Sequence, residues 1–456
     1  MADTMYAWSL YEPLIWLNSS FEPEPYLAES WETDGTGKVW TFHLRKGVTF
    51  HDGSAFDAAD VVYTYKRLID PATASPAQAE LSFLEGAKID SVDAHTVRFE
   101  LSAPDVELPT RLSSKFALIV PEGATGEQLA TKPVGTGPFK AASVSPDAPR
   151  AVLERNDAYW QAGKPKAPCL ELTAIAEPMS RAAAMLSGQA DVMLVADPTT
   201  LGQLRDSGAV TLSEAKGGTF VVLTMWTDEK PFDDVRVRQA LKAVVDRDAM
   251  VELALLGQGI AGNDNPIPPS SAFAFSSEAP KPDIEKAKKL LSEAGYANGL
   301  KVQLHTGATE LYPGMLTMVQ AYKEMAAQAG IDVEIVTSPS DSYWDEVWLK
   351  RPFITSYWSP RPLAAAFASG YVCSAKYNET HWCRPEFDAL LKQAGETVEE
   401  GARIELYKKA QKTLAEEGGV IVPAFTSVTS ALRKGCKGYE PHVDVNRVRF
   451  ADIECE

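Results

Sequence analysis

The sequence predicts an α/β protein with more than one domain, and three observations support this fold class. The chain has 456 residues, more than one hydrophobic core normally accommodates. Along most of the chain, segments whose apolar residues have the spacing of a strand alternate with segments whose apolar residues have the spacing of a helix. Residues 300–336 have the order strand, helix, strand of a βαβ unit. We therefore expect several α/β domains.

The composition is that of a globular protein with an acidic surface. Hydrophobic residues make up 45% of the chain and charged residues 23%, and no apolar run approaches the roughly 18 to 20 residues of a membrane span. The 44 basic and 62 acidic residues give a net charge of −18, which repels phosphate backbones. Neither a membrane-embedded protein nor a nucleic-acid partner is expected.

The first clear elements are a strand and a helix. Trp40, Phe42 and Leu44 alternate with polar residues, which predicts a half-buried strand. Asp57 then precedes an apolar stripe at helical spacing that stops before Pro71. The spacing therefore predicts a helix capped by Asp57.

A second informative region follows a segment rich in Pro and Gly at 132–140, KPVGTGPFK. Such a segment disfavours a helix and suits a crossing between domains. Beyond it, strands predicted at 151–154 and 170–175 precede a helix predicted at 179–188. This alternation favours a largely parallel, helix-covered sheet.

Residues 231–247, PFDDVRVRQALKAVVDR, predict a helix capped by Asp233 or Asp234. We expect its arginines to form structural pairs. Two further helices are predicted at 283–294 and 315–330, on either side of the strand at 300–305.

The five cysteines contain no CxxC pair, which argues against a zinc ribbon or a thioredoxin-like site. Cys373 and Cys383 flank a polar loop that a disulfide can close, and Cys436 and Cys455 could join the C-terminal segment in the same way. Five independent thiols are the alternative. With two bridges, Cys169 is left over.

Motifs of catalysis are lacking in the sequence. The six histidines are scattered without metal-ligand spacing, and there is no G-x-S-x-G, P-loop or G-x-G-x-x-G. The pair Asp233-Asp234 is better explained as a helix cap. We expect a binding protein without a cofactor; the alternative from another class is a hydrolase that uses carboxylates in a cleft.

Three segments together resemble one family. They are the stretch 29–53 with WTFHLRKGVTFHDG, the motif PVGTGPF at 133–139, and the run at 231–247. They resemble extracellular solute-binding proteins of family 5, the dipeptide-, oligopeptide- and nickel-binding receptors of ABC importers. The resemblance covers nearly the whole chain. It implies a periplasmic-binding-protein type II-like fold, with two α/β lobes joined by a hinge and an extra small α/β domain.

The resemblance also implies domain boundaries. Lobe I is expected to be discontinuous, the small domain to be inserted into it, and the other lobe to follow; the expected ranges are 1–25, 132–240 and 433–456 for lobe I, 26–131 for the small domain, and 241–432 for the other lobe.

The function implied by the resemblance is capture of a small solute between two lobes and its delivery to an ABC permease in the inner membrane. A monomer in the periplasm is expected. No signal peptide begins at Met1. Because family members are exported, we expect that the chain starts late and lacks a leader and the first strand of lobe I.

The segment 353–362, FITSYWSPRP, is predicted to be a short strand that ends in a rigid loop. In the family this loop carries a W-x-x-D-x-x-D-P pattern and lines the ligand cavity, and in peptide binders an acidic residue there receives the α-amino group. This chain has no Asp from 353 to 378, and Arg361 stands near the acidic position. A guanidinium pairs with carboxylates and repels ammonium groups.

The predicted solute therefore has a carboxylate, as in a peptide-like molecule, an amino-acid conjugate or an opine-like compound. The alternative is that Arg361 only pairs with a surface carboxylate. Trp358 is expected either in the core or as a stacking wall, and Trp226, Tyr357 and Phe116 are further candidates for solute contact. Nickel-chelate and sugar binding remain alternatives within the family.

Overall fold

The computed structural model describes residues 2–78, 80–143 and 150–456. Its α-helices are α1 Ala2–Leu10, α2 Ala58–Ile69, α3 Leu108–Leu112, α4 Gly126–Thr131, α5 Pro178–Leu186, α6 Leu201–Asp206, α7 Val235–Ala243, α8 Arg247–Leu255, α9 Ile284–Glu293, α10 Met315–Ala327, α11 Tyr343–Glu346, α12 Leu363–Gly370, α13 Pro385–Glu396 and α14 Glu400–Glu417.

Its strands are β1 Ile15–Leu17, β2 Pro23–Pro25, β3 Ala28–Thr33, β4 Val39–Leu44, β5 Lys88–Asp93, β6 Thr96–Glu100, β7 Phe139–Ser143, β8 Arg150–Arg155, β9 Cys169–Thr173, β10 Val192–Met193, β11 Val210–Met225, β12 Gly259–Ala261, β13 Leu300–Gly307, β14 Ile331–Ser338, β15 Phe353–Trp358, β16 Val420–Arg433, β17 Cys436–Lys437 and β18 Glu454–Cys455.

The chain forms two compact units. The first comprises Met1–Ala215 and Val428–Glu456, and the second comprises Lys216–Ser427. The chain passes from the first unit to the second within β11 and returns within β16. The expected small domain, residues 26–131, lies in the sequence of the first unit, and its boundaries stay a prediction.

The first unit contains the predicted N-terminal strand and helix. β4 is a member of an antiparallel sheet of order β3-β4-β6-β5, and its side chains alternate as predicted, with Trp40, Phe42 and Leu44 buried. Asp57 accepts a hydrogen bond from the Ala59 amide and forms a capping box with Asp60 at the start of α2. Both predictions are confirmed.

The prediction of a largely parallel sheet beyond residue 141 is wrong for the strands β7, β8 and β9. They form an antiparallel sheet of order β7-β8-β9. A parallel pair needs a long crossover, usually a helix, whereas residues 156–168, which join β8 to β9, contain no helix. The predicted helix at 179–188, observed as α5, follows these strands and does not connect them.

The motif at 133–139 is explained by a close approach of two backbones. A Cβ atom on Gly135 would lie 2.0 Å from the Leu10 carbonyl oxygen, and one on Gly137 would lie 2.6 Å from the same oxygen. The Gly137 amide donates to this oxygen at 2.8 Å. Glycine at both positions lets the segment pack against the end of α1.

The second unit is built on a mixed sheet of order β16-β11-β15-β13-β14, with β12 paired to β16. β13 and β14 are parallel and are connected through α10, so the predicted βαβ unit is confirmed. Asp283 caps α9, also as predicted.

The helix predicted from residues 231–247 begins after Asp234, which caps α7. Its long side chains donate to the last carbonyls of α14: Arg238 Nε to Glu417 O at 3.0 Å, Gln239 Nε2 to Glu416 O at 3.1 Å and Lys242 Nζ to Ala415 O at 2.7 Å. These carbonyls have no partner within their own helix. Arg238 of this motif thus caps the C-terminal end of α14, which agrees with the predicted structural role of the arginines.

Both predicted disulfides are present, Cys373–Cys383 and Cys436–Cys455. Cys169 is a free, exposed cysteine.

Candidate functional site

The end of β15 and the loop after it carry three of the five residues that the sequence predicted for solute contact, Tyr357, Trp358 and Arg361. β15 lies between β11 and β13, and Trp358 at its end is opposite Phe220 of β11. Pro360 and Pro362 follow within four residues and have no backbone N–H for a ladder. The strand therefore stops at Trp358, and Arg361 lies in the short loop before α12.

Trp358 is a core residue that contacts Arg361. Its side chain belongs to a core cluster with Phe220 and Phe367, and only 9% of the residue is exposed. Its ring lies so close to Gly370, at the end of α12, that a Cβ there would be 3.3 Å away. The guanidinium carbon of Arg361 lies 5.0 Å from the ring centroid, within the range of a cation–π contact. The side chain is thus part of the core, and contact of Trp358 with a solute stays a prediction.

Aromatic side chains around the end of β15 contact one another in a continuous series. We call this series, which consists of Tyr312, Tyr357, Trp344, Trp348, Tyr377 and Trp358, the aromatic ladder. Successive ring centroids are 5.0, 5.6, 5.6, 5.5 and 6.5 Å apart. Tyr357 and Tyr377 are 36% and 37% exposed. These two tyrosines give the ladder a solvent-accessible aromatic surface.

A buried carboxylate, Glu379, connects two members of the ladder. It accepts hydrogen bonds from the indole Nε1 of Trp358 at 3.1 Å, from the indole Nε1 of Trp348, and from Ser356 Oγ at 2.6 Å. Burial raises the pKa of Glu379, and the three hydrogen bonds oppose this rise. A single acidic group thus holds two rings of the ladder by their polar edges.

The loop closed by the disulfide Cys373–Cys383 positions both Tyr377 and Glu379. Inside the loop, Asn378 Nδ2 donates to Trp382 O at 2.8 Å. At its start, the Cys373 amide donates to the carboxylate of Asp388 in α13 at 3.2 Å, which attaches the loop to that helix. The disulfide is therefore part of the support of the aromatic ladder.

Two of the predicted site residues, Trp226 and Phe116, are not members of the aromatic ladder. Trp226 follows β11 at its other end, six residues along from Phe220, which corresponds to about 20 Å along a strand. There its ring stacks on His381 at 4.2 Å. Phe116 belongs to the first unit, where it is 36% exposed and contacts Lys115. Arg361 contacts Trp358, whereas the ring of Tyr357 contacts Tyr312 and Trp344. A role for these residues, and for Trp226 and Phe116, in solute contact stays a prediction.

Sequence reasoning missed Glu379, Tyr377 and three ring-bearing residues of the ladder, Tyr312, Trp344 and Trp348. The stretch 353–378 contains no Asp, and Glu379 is the next residue. Tyr377 and Glu379 lie in the loop that the predicted disulfide closes, so this disulfide was the one sequence feature that connected these two residues with each other. Tyr312, Trp344 and Trp348 come from two other segments, and nothing in their local pattern relates them to β15.

Other candidate chemistry has structural explanations. Asp234, one of the predicted carboxylate pair, caps α7 and pairs with Arg236, as a structural cap would. Among the residues that the structure describes, one cluster brings three potential metal ligands within 4.8 Å of one another, namely Asp191, Cys436 and Cys455. The two cysteine sulfurs of this cluster are joined in a disulfide. No helix in the described ranges is both long and apolar enough to cross a membrane.

Comparisons with known proteins agree with this architecture. The family model for bacterial extracellular solute-binding proteins, family 5 (middle region), matches residues 22–378. The chain is 29% identical to the dipeptide-binding protein of Escherichia coli K12 over 453 residues, covering 91% of this chain and 83% of that protein. It is 30% identical to heme-binding protein A of Haemophilus influenzae, covering 92% and 82% respectively.

Among solved structures, the chain is similar to the ABC transporter-associated periplasmic binding protein DppA from Helicobacter pylori in complex with the peptide STSA. The identity is 27%, the TM-score is 0.76, and the match covers 98% of this chain and 92% of that one. The fold is therefore that of the type II periplasmic binding proteins, as expected from the sequence. The chain belongs to the bacterial extracellular solute-binding proteins of family 5, and it is a solute-binding receptor.

Proposed function

We propose that this receptor binds a peptide-like solute through a carboxylate, with Arg361 as the cationic partner and Tyr357 and Tyr377 as aromatic contacts. The observation that carries the proposal is the placement of Arg361 over the face of Trp358, whose neighbour in the aromatic ladder is the exposed Tyr377. Amino-acid conjugates and opine-like compounds have the same carboxylate and belong to the same solute class.

The physical argument concerns the orientation of a planar cation. A guanidinium binds a carboxylate best through two parallel hydrogen bonds, and this geometry requires a fixed plane. Contact with the Trp358 ring limits the orientations of Arg361 before the solute arrives. Less side-chain entropy is then lost on binding.

The relatives support a peptide-like solute. One is named for dipeptide binding, and the similar structure from Helicobacter pylori was solved with a bound peptide. Another relative is named for heme binding, and heme also carries carboxylates. The carboxylate is therefore the chemical feature that peptides and heme share.

We further propose that the protein acts in the periplasm as a monomer, releases its solute unchanged to an ABC permease, and binds neither a cofactor nor nucleic acid. The acidic net charge of −18 supports the last point, since it disfavours contact with phosphate backbones. Native mass spectrometry of the purified protein checks the monomer, and recovery of intact solute after binding checks that no bond is broken.

Isothermal titration calorimetry with a dipeptide panel tests the proposed function. The panel contains each dipeptide as the free acid and as the C-terminal amide, together with hemin, nickel–histidine and a disaccharide. We expect binding of at least one free acid, with a Kd at least tenfold higher for its amide. For Arg361→Ala, we expect the free acid to bind at least about tenfold more weakly, a loss of about 1.4 kcal/mol.

Arg384→Ala is the matched control, because Arg384 belongs to the same unit and pairs with Glu417 on the surface. It should leave the Kd unchanged. Equal affinity of wild type and Arg361→Ala for the free acid would contradict the role of Arg361. Binding of hemin, nickel–histidine or the disaccharide, with no binding of any dipeptide, would contradict the proposal of a peptide-like solute.

A further inference from the structure

Glu379 joins three segments of the second unit through one carboxylate. Trp348 follows α11, Ser356 and Trp358 belong to β15, and Glu379 itself lies in the disulfide loop. Only 4% of Glu379 is exposed, so water does not compete for these hydrogen bonds. The two indoles are therefore held relative to each other by the same acidic group.

The contact with Trp358 affects the ring face that Arg361 contacts. The indole cannot rotate freely, because its N–H is bonded to Glu379 and the neighbouring Cζ2–Cη2 edge of its six-membered ring lies against Gly370. A carboxylate that accepts from the indole N–H also increases the electron density of the ring by polarisation. A more electron-rich face attracts a guanidinium more strongly, so Glu379 favours the position of Arg361.

The contact with Trp348 affects Tyr377, an exposed member of the ladder. Trp348 stacks on Tyr377 with centroids 5.5 Å apart and an interplanar angle of 29°. Tyr377 is separated from Glu379 by one residue in the disulfide loop. Fixing the Trp348 indole therefore also fixes the surface on which Tyr377 rests.

We propose that Glu379 is a positioning residue that determines the affinity for the solute carboxylate, by orienting Trp358 beneath Arg361 and Trp348 beneath Tyr377. It acts through these rings and does not touch the solute. The proposal rests on the proposed function, since it assigns the carboxylate partner to Arg361.

The test is the near-isosteric variant Glu379→Gln. A glutamine offers one carbonyl oxygen instead of two carboxylate oxygens, and its NH₂ group would face an indole or hydroxyl donor. Two readouts are measured: the ¹H–¹⁵N resonances of the Trp348 and Trp358 indoles, assigned with Trp→Phe variants, and the Kd for the best dipeptide as acid and as amide. Glu346→Gln, an exposed acid of α11, is the control.

We expect the indole N–H proton of at least one of the two tryptophans to move upfield in Glu379→Gln. The Kd for the free acid should rise at least tenfold, whereas the Kd for the amide should change less than threefold. Glu346→Gln should match wild type in both readouts. Thermal unfolding monitored by circular dichroism establishes that each variant is folded at the temperature of the titration.

The outcomes separate the two proposals. If wild type binds the acid and Glu379→Gln binds it equally well, the role of Glu379 is wrong while the proposed function stands. Unmoved indole resonances would also overturn the role of Glu379. If wild type binds no member of the dipeptide panel, the proposed function is wrong, and the positioning role falls with it. If Glu379→Gln is unfolded, Glu379→Asp, which keeps the charge, replaces it and is judged by the same resonances and Kd values.

Discussion

The two units contain the same local arrangement, a buried carboxylate bonded to an indole that lies under a guanidinium. In the first unit Glu12 accepts from Trp160 Nε1 at 3.0 Å, and Arg45 lies 4.7 Å from the Trp160 ring centroid. In the second unit Glu379 accepts from Trp358, and Arg361 lies 5.0 Å from that ring. Glu12 and Glu379 are 1% and 4% exposed.

The surroundings of the two arrangements differ. Glu12 also accepts hydrogen bonds from Thr136 Oγ1 and Tyr159 OH. The Arg45 guanidinium donates a hydrogen bond to the backbone carbonyl of Tyr26. The arrangement around Glu379 instead adjoins the aromatic ladder with its exposed tyrosines. A carboxylate–indole–guanidinium group is therefore a means of fixing an arginine. Under the proposed function, the arginine of the first unit supports the scaffold and the arginine of the second unit binds the solute.

The largest expected effect tests the scaffold role of the first unit. In Gly135→Ala the new methyl would lie 2.0 Å from the Leu10 carbonyl oxygen, so the backbone must shift. We expect a loss of unfolding free energy of about 4 kcal/mol or more, the range of a severe steric defect. Urea denaturation measures it. Gly395→Ala is the control, because its Cβ meets nothing within 4 Å; a loss below about 1 kcal/mol in Gly135→Ala would contradict the close packing.

The next prediction concerns the pH dependence of the Glu12 group. Burial raises the pKa of Glu12 from 4.5 to about 7, against hydrogen bonds from Tyr159, Thr136 and Trp160 that lower it. The folded state thus keeps a proton that the unfolded chain loses, and stability falls as the pH rises from 4.5 through 7. The difference in pKa corresponds to about 3 kcal/mol.

This pH dependence is measured as the difference in unfolding free energy between wild type and Glu12→Gln at pH 4.5, 6 and 8. Groups other than Glu12 contribute alike to both proteins, so the difference reports on this carboxyl. Wild type should lose stability relative to Glu12→Gln as the pH rises. A difference that stays constant with pH would show that the carboxyl titrates normally in the folded protein.

A third prediction compares the two disulfides. Replacing Cys373 and Cys383 by serine opens a short loop and should lower the unfolding free energy by about 3 kcal/mol by loop-closure entropy. Because this loop carries Tyr377 and Glu379, affinity for the solute should fall as well. The same double replacement at Cys436 and Cys455, in the first unit, should lower stability by a similar amount with the solute Kd unchanged. Equal Kd values for both variants below their unfolding temperatures would contradict the role of the loop.

Much of the fold could be predicted from local periodicity. β4, α2, α9 and the βαβ unit of β13, α10 and β14 follow directly from alternating or helical patterns and from the caps Asp57 and Asp283. The antiparallel order of β7, β8 and β9 could not be predicted in this way. The relative direction of two strands depends on the segment that connects them, not on the apolar pattern within each strand.

The candidate site was predictable only in part, because its residues come from separate segments. Arg361 and Tyr357 were identified from one loop and its strand. Trp344 and Trp348 reach the site through the short helix α11, and Glu379 through the disulfide loop. Such contacts depend on tertiary packing, and no spacing rule within a single segment indicates them. Glu379 is also buried, which a polar loop sequence does not suggest.

The most direct test of the account measures dipeptide affinity and thermal stability in parallel for Arg45→Ala and Arg361→Ala. The two arginines have the same type of contact with an indole, one in each unit. We expect Arg45→Ala to lower the melting temperature and keep the wild-type Kd, whereas Arg361→Ala should raise the Kd at least tenfold. An unchanged Kd in Arg361→Ala would contradict the role of Arg361, and a raised Kd in Arg45→Ala would contradict the scaffold role of Arg45.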